Sequence, residues 1–102
     1  MLDRQAMLRV LSERYAVSAL VLIYELSLSG PVMKYDLLAV VGSGNTIDNL
    51  VRKLEAASLI KLRRTNIPRK TIYLTLTSGG RLVALHLSQA VGSQRLLNRD
   101  GD

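Results

Sequence analysis

Eight residues in the second half of the chain, RRTNIPRK at positions 63–70, carry four positive charges around one proline. Arginine and lysine bind phosphate oxygens through charge-assisted hydrogen bonds, and arginine can do so with two parallel donors. The stretch separates two segments in which apolar and polar residues alternate, a pattern that predicts two β-strands joined by a turn. A turn with this density of cations indicates a surface that binds a polyanion.

The positive charge of the whole protein is concentrated around this basic turn. The net charge of +6 arises within positions 52–70, which hold seven cations and one anion. The other 83 residues hold seven charges of each sign. Because a surface that is merely solvated has its charges spread over the molecule, this distribution favours nucleic acid as the partner.

A group of polar residues with helical spacing precedes the basic turn. Over positions 45–57, apolar residues recur at i, i+3, i+4 and i+7, which predicts an amphipathic helix. We expect Asn45 to cap this helix and the carboxylate of Asp48 to complete a capping box. On the exposed face, asparagine can pair with adenine, threonine can touch a thymine methyl group and arginine can bind guanine. The predicted base-contacting residues are Asn45, Thr46, Asn49 and Arg52.

Residues that flank this helix or lie in the basic turn are candidates for phosphate contacts. Such contacts set affinity and salt dependence but carry little sequence information. The candidates are Ser43, Lys53, Arg63, Arg64, Thr65, Asn66, Arg69 and Lys70. Structural interpretations stay open for some of these side chains. Asn45 can be a helix cap that contacts no base. Arg52 can pair with Glu55 or Asp48 on the helix surface, and Arg63 can belong to a sheet face that is simply solvated.

The remaining segments predict a scaffold for these residues. The predicted elements are a helix at 3–14 capped by Asp3, a buried helix at 17–28, an extended piece at 31–33, a two-turn helix at 34–41, and a last helix at 78–91 capped by Thr77. The sequence does not decide whether the first two helices are continuous. Residues 93–102 are predicted to be a loose tail, although Leu96 and Leu97 could extend the last helix.

The strands beside the basic turn have a defined register. In LIKLRR and KTIYLTLT the inward-facing apolar residues fall on even positions. Antiparallel pairing of even with even positions centres the turn near Ile67 and Pro68. Two interpretations exist for Ile67, insertion into a minor groove or packing against its own turn, and the second is favoured.

This order of elements resembles a known family. GPV at 30–32, NLVRKLEAASLIKLRR at 49–64 and YLTLTSGGRL at 73–82 resemble the small winged helix-turn-helix transcriptional regulators of the MarR and PadR type. The resemblance covers about two-thirds of the chain. It implies an α+β fold, a winged helix-turn-helix with extra N- and C-terminal helices, in one DNA-binding domain over 1–92. It also implies that helix 45–57 enters the major groove while the basic turn forms the wing.

Two positions depart from the family pattern. Members usually have glycine where Ser58 stands, because that residue ends the recognition helix in a left-handed conformation. They also usually carry an aspartate in the wing, which has no acidic residue here. We expect serine at position 58 to cost some stability.

Apolar residues that the winged core does not need predict a second interface. The N-terminal helix, about 3–16, and one face of the last helix, 78–91, are expected to form a two-fold homodimer. The predicted interface residues are Met7, Leu8, Leu11, Tyr15, Leu82 and Leu85. Alternatively, the N-terminal helix folds back on its own domain.

The sequence has none of the patterns of an enzyme. It has no cysteine and one histidine, His86, in the predicted last helix. Gly42-Ser43-Gly44 lacks the lysine and the spacing of a phosphate-binding loop. We therefore expect no catalytic site, metal or cofactor, and no small-molecule effector site is evident.

A cytoplasmic, nucleoid-associated protein is expected. The stretch AVSALVLIY could mimic the core of a signal peptide, but Asp3, Glu13 and Glu25 argue against one. The apolar run at 16–28 is too short to span a bilayer.

These observations predict a sequence-specific regulator of transcription that binds double-stranded DNA. One alternative is an adaptor that binds other proteins, for which a less basic wing would be expected. Another is a chromatin-like protein that binds DNA independently of sequence. The polar residues at the start of helix 45–57 favour sequence-specific contacts over that last alternative.

Overall fold

The computed structural model describes residues 4–100, with side chains described for residues 4–92. Its elements in chain order are α1 (Arg4–Leu11), α2 (Ala16–Ser27), β1 (Val32–Met33), a 3-10 helix (Lys34–Ala39), α3 (Gly44–Ala56), β2 (Ile60–Thr65), β3 (Thr71–Leu76) and α4 (Ser78–Asp100). The α+β architecture predicted from the sequence is confirmed, and each predicted helix and strand has a counterpart.

The three strands form one antiparallel sheet in the order β1-β3-β2. Leu62 of β2 pairs with Leu74 of β3, and the other even positions of β2 also pair with even positions around Pro68. The predicted register of the hairpin is therefore confirmed. Val32 of β1 pairs with the other edge of Leu74, which makes β3 the central strand.

The hydrophobic core lies between the sheet and the helices. Helix α2 packs against both α4 and β3, and its Leu20 and Ile23 are completely buried. Helix α3 adds one apolar face, from which Leu54 is also completely buried. The nearly all-apolar sequence of α2 is thus explained by a central position with neighbours on several sides.

The connection between α1 and α2 shows that these helices are separate. Helix α1 ends at Leu11 and α2 begins at Ala16. Between them, Tyr15 has a left-handed conformation with a φ angle of 71°. A left-handed residue cannot continue a right-handed helix. The predicted cap of the first helix, Asp3, lies outside the described residues.

The segment predicted as a two-turn helix is a 3-10 helix, Lys34–Ala39. The carboxylate of Asp36 accepts a hydrogen bond from the backbone N–H of Met33 at 2.9 Å. This bond joins the start of the 3-10 helix to the end of β1. The short helix is thereby held against the sheet, directly before α3 in the chain.

The start of α3 differs from the prediction. The helix begins at Gly44, and its cap is Ser43, whose hydroxyl accepts a hydrogen bond from the N–H of Thr46 at 3.4 Å. Asn45 lies inside the first turn, and the carboxylate of Asp48 contacts a side chain outside the helix. The predicted capping box is therefore wrong. Serine and asparagine are equally good caps, so local propensity did not distinguish the two positions.

The end of α3 is as the family resemblance implies. Ser58, directly after the helix, has a left-handed φ angle of 61°. Its N–H donates to the carbonyl of Glu55 at 2.9 Å, and the N–H of Leu59 donates to the carbonyl of Leu54 at 3.0 Å. These two bonds define a Schellman motif, in which glycine is the usual residue at the position of Ser58.

The start of α4 is attached to this corner. The hydroxyl of Thr77 donates to the carbonyl of Ser58 at 2.7 Å and accepts from the N–H of Gly80 at 2.9 Å. The prediction that Thr77 caps the last helix is confirmed. A Cβ atom at Gly80 would lie 1.9 Å from the carbonyl oxygen of Leu59. The glycine therefore permits close contact between α4 and the end of α3.

Helix α4 is longer than predicted. It runs from Ser78 to Asp100, whereas the sequence predicts an end near Val91. The backbone of 93–100 is thus helical where a loose tail is predicted, and the rest of that tail lies outside the described residues. Within residues 4–100, neither this helix nor another has the length and apolar character needed to cross a bilayer.

Candidate nucleic-acid interface

The exposed face of α3 is a line of polar side chains. The opposite face is buried and consists of Ile47, Leu50, Val51 and Leu54. Because the helix has about 3.6 residues per turn, Asn45, Asn49 and Arg52 lie in one line, and all three are exposed. We call this line the polar ridge. The structure thus brings together three of the four predicted base-contacting residues.

One flank of the polar ridge carries Thr46 and Lys53. Thr46 is half-buried, and its hydroxyl donates to the hydroxyl of Ser43 at 3.4 Å. Lys53 forms a salt bridge with Glu13, with Nζ 2.9 Å from Oε2. Glu13 lies in the connection between α1 and α2, far from Lys53 in the chain. Thr46 therefore lies apart from the polar ridge, and Lys53 is held toward the N-terminal helices.

The other flank carries Asp48, which contacts a residue that the sequence analysis missed. Nζ of Lys34, at the start of the 3-10 helix, donates to Oδ1 of Asp48. Among the side chains of residues 4–92, Arg52 makes no salt bridge, so the alternative interpretation in which it pairs with Glu55 or Asp48 is not observed. Lys34 instead balances the negative charge beside the polar ridge. No sequence pattern indicates a pair formed between separate elements.

The two arginines of β2 lie on opposite faces of the sheet. Arg64 lines a small cleft of ≈ 270 Å³ together with Asp48 and Glu55 of α3. Arg63 is on the other face, where its guanidinium carbon lies 4.8 Å from the ring centre of Tyr73. Only Arg64 shares a surface with α3. Strand alternation already indicates this difference.

The loop between β2 and β3, residues 66–70, is exposed at every position. Thr65, which ends β2, is half-buried, whereas Asn66 points into solvent. Ile67 at the tip is 89% exposed. Packing of Ile67 against its own turn, the favoured sequence interpretation, is therefore wrong.

The second half of the basic turn borders α3 across an open cleft of ≈ 600 Å³. Arg69 and Lys70 lie on one side of this cleft, and Gly44 and Asp48 of α3 lie on the other. Apolar side chains from the 3-10 helix and the strands line the rest, among them Met33, Leu38 and Ile72. The structure therefore places two cations of the basic turn beside the N-terminus of α3, where helix N–H groups also favour anions.

The fold matches known structures although the sequence does not. No protein-family profile and no curated protein sequence matches the chain. A transcriptional regulator homologue from Pyrococcus horikoshii is 15% identical and has a TM-score of 0.66, with 92% of this chain and 89% of that chain covered. A mutant of MepR from a multidrug-resistant S. aureus clinical isolate is 18% identical and has a TM-score of 0.69, with 93% of this chain and 70% of that chain covered.

The chain is a winged helix. At these sequence identities the similarity establishes the fold alone, and at that level the resemblance to MarR-like regulators is confirmed. In a winged helix, α3 has the position of the recognition helix, with the 3-10 helix before it as the first helix of the helix-turn-helix. The hairpin of β2 and β3 is the wing, and residues 66–70 form its tip.

The winged helix leaves some of the predicted dimer residues exposed and covers others. Met7, Leu11 and Tyr15 are partly buried against the core of their own domain. Leu8 is 56% exposed on α1, and Leu82 is 58% exposed on α4. Leu85 is half-buried. The N-terminal helix thus packs on its own domain through one side, and Leu8 is available on the other.

Metal ligands do not gather in the part of the chain whose side chains are described. Over residues 4–92, no three histidine or acidic side chains lie close enough to hold a metal ion. His86 is exposed on α4. The larger cleft is instead bordered by three cations, one acid (Asp48) and apolar groups, and its excess of positive charge suits an anionic partner.

Proposed function

We propose that this protein is a sequence-specific regulator of transcription that binds double-stranded DNA. The recognition helix α3 enters the major groove, and the basic turn contacts phosphates and the adjacent minor groove. The observation that carries this proposal is the exposed polar ridge, beside which Arg69 and Lys70 supply positive charge. The fold, shared with a transcriptional regulator homologue, supports the same conclusion.

The dimensions of α3 suit this role. Its 13 residues span about 20 Å at a rise of roughly 1.5 Å per residue. The major groove of B-DNA is about 12 Å wide and admits one α-helix. A ridge of two asparagines and one arginine has the side chains that pair with adenine and guanine edges. The ridge therefore provides sequence discrimination, which phosphate contacts do not.

The candidate phosphate contacts have unequal roles in this proposal. Ser43, Asn66, Arg69 and Lys70 are exposed around the cleft and wing tip and contact phosphates directly. Arg64 lies beside Glu55 and Asp48, so the acids reduce its effect. Lys53, bound to Glu13, and Arg63, stacked on Tyr73, act mainly through the long-range field.

We further propose that the protein acts as a homodimer. The exposed Leu8 and Leu82 supply apolar surface on α1 and α4. A two-fold axis between these helices would place two recognition helices about one DNA turn, roughly 34 Å, apart. Doubling the contacts in this way would raise both affinity and specificity. A DNA-binding dimer of this kind would act at the nucleoid in the cytoplasm.

The first test is fluorescence anisotropy on labelled duplex DNA at several salt concentrations. The wild type should bind more weakly as salt rises, with a slope of about 0.9 in log K per phosphate contact. Replacing Arg69 and Lys70 by alanine should lower that slope by about 1–2. Arg81→Ala is the matched control, because it removes an exposed cation of α4 and should leave the slope unchanged.

Sequence specificity is tested by selecting binding sites from a random duplex library. Asn49→Ala should relax the selected sequence at one position, whereas Lys70→Ala should weaken all sites about equally. If no site is enriched although the wild type binds DNA, the protein coats DNA independently of sequence. If the folded wild type does not bind at low salt, the wing serves a protein partner and this proposal is wrong.

The oligomeric state is tested by light scattering at micromolar concentration. Leu82→Glu should shift the wild-type dimer toward monomer, because a charge would be buried in the interface. Leu28→Glu is the control, since Leu28 is 68% exposed but outside the proposed interface. A monomeric wild type would refute the dimer.

A further inference from the structure

Ile67 is the most exposed large apolar residue of the described part of the chain. Its exposure is 89%, and it lies at the tip of the wing. The residues beside it in the tip, Asn66 and Arg69, are also exposed. An apolar side chain among polar and charged neighbours, directed into solvent, contributes nothing to the core. Its exposed position at the tip leaves it available to a bound partner.

The wing does not need Ile67 for its own shape. The strands pair as far as Thr65 and Thr71, so the ladder closes before the tip begins. Pro68 restricts the backbone of the loop. Among the side chains described, Ile67 is not one of those that pack on the core. A polar residue at this position should leave the hairpin intact.

Resting on the proposed function, we propose that Ile67 enters the minor groove of the bound duplex as an apolar wedge. Minor-groove proteins insert side chains of this type, isoleucine included, against or between base steps and bend the duplex. The cations that follow Ile67, Arg69 and Lys70, match the phosphates that border the groove. The wing thus combines electrostatic attraction at its sides with an apolar contact at its tip.

The wedge has a thermodynamic signature distinct from that of the cations. Burial of an aliphatic side chain is a hydrophobic contribution, which does not release counterions. Ile67→Ser should therefore weaken binding by roughly ten-fold or more at every salt concentration, without changing the salt slope. Arg69→Ala should instead reduce the slope. Ile67→Leu keeps the apolar volume and should retain most of the affinity.

The experiment uses labelled duplexes of roughly three helical turns, one rich in TA and CA steps and one built from A-tracts. Pyrimidine–purine steps kink easily, whereas A-tracts are stiff. The wild type should prefer the flexible duplex and shorten the distance between its ends, measured by energy transfer. Ile67→Ser should lose both the preference and the shortening. Its thermal unfolding should match that of the wild type.

The outcomes separate this inference from the function on which it rests. If the wild type binds DNA with a salt-dependent affinity but Ile67→Ser binds equally well, the wedge is refuted and the proposed function stands. If the wild type binds no duplex at low salt, both are refuted. If Ile67→Leu loses as much affinity as Ile67→Ser, apolar burial does not explain the contact and the wedge is again refuted.

Discussion

Replacement of Ser58 by glycine should stabilise the protein. Ser58 has a φ angle of 61°, a conformation in which a side chain crowds the backbone and costs about 1–2 kcal/mol. The two hydrogen bonds of the Schellman motif join backbone atoms, and the bond from Thr77 is accepted by the backbone carbonyl of Ser58. Glycine would therefore keep all three bonds while removing the crowding.

The expected gain is the difference between two opposing terms. Glycine relieves most of the left-handed strain but loses about 0.5–1 kcal/mol through its greater freedom in the unfolded chain. The net stabilisation should be about 0.5–1 kcal/mol. For a domain of this size, that corresponds to a rise of roughly 2–8 °C in Tm.

The assay is unfolding in urea, followed by circular dichroism, with the midpoint and the slope both recorded. Ser58→Gly should raise the midpoint and leave the slope unchanged. Ala57→Gly is the matched control, because Ala57 is adjacent but has an ordinary φ angle of −83°. That control should lose about 0.5–1 kcal/mol, since no strain is relieved.

The comparison of the two glycine variants decides the argument. If Ser58→Gly destabilises the protein as much as Ala57→Gly does, position 58 carries no left-handed strain. The assignment of the Schellman motif at the end of α3 would then be wrong. An increase in stability for both variants would also contradict the argument, because glycine at the ordinary φ angle of position 57 should destabilise the protein.

Two further predictions concern close contacts between elements. Gly80→Ala should cost about 3 kcal/mol of stability in urea unfolding, because the new Cβ would lie 1.9 Å from the carbonyl oxygen of Leu59. Gly79→Ala is the control. A Cβ at that position would have no atom nearer than 4.0 Å, so this variant should be neutral or slightly stabilising. Equal effects at the two glycines would contradict the observed packing of α4. In DNA binding, Lys34→Met should weaken affinity roughly three- to ten-fold, because the negative charge of Asp48 loses its partner beside the polar ridge. Adding Asp48→Asn should restore the affinity, and a loss that persists in the double variant would mean that Lys34 contacts phosphate itself.

Periodic patterns explain why the main elements were predictable. The hairpin register follows from alternation, because a shift by one residue would turn Leu62 and Leu74 toward solvent. The exposed and buried faces of α3 follow from the helical repeat, so Asn49 and Arg52 could be placed together before the structure was known. The same alternation separates Arg63 from Arg64, so only Arg64 of the two shares a surface with α3.

Local signals were insufficient where two alternatives had similar energies. Ser43 and Asn45 are equally good caps, and the choice depended on where α3 meets the 3-10 helix. The interpretation that Ile67 packs against its own turn was wrong, because it assumed that an apolar side chain is buried among apolar neighbours. The end of α4 was also misplaced, since Gly92 weakens a helix without necessarily ending it.

The sequence by itself determined the winged-helix order of elements, the faces of α3, the hairpin register and the concentration of charge at 52–70. Each depends on neighbours in the chain or on a repeat of two or 3.6 residues. Only the tertiary structure decided that Lys34 contacts Asp48 and that Lys53 contacts Glu13. It also decided that Ile67 is exposed at the tip of the wing, with no cover from the side chains described. These features depend on the distances between elements that are separate in the chain, and no periodic pattern encodes those distances.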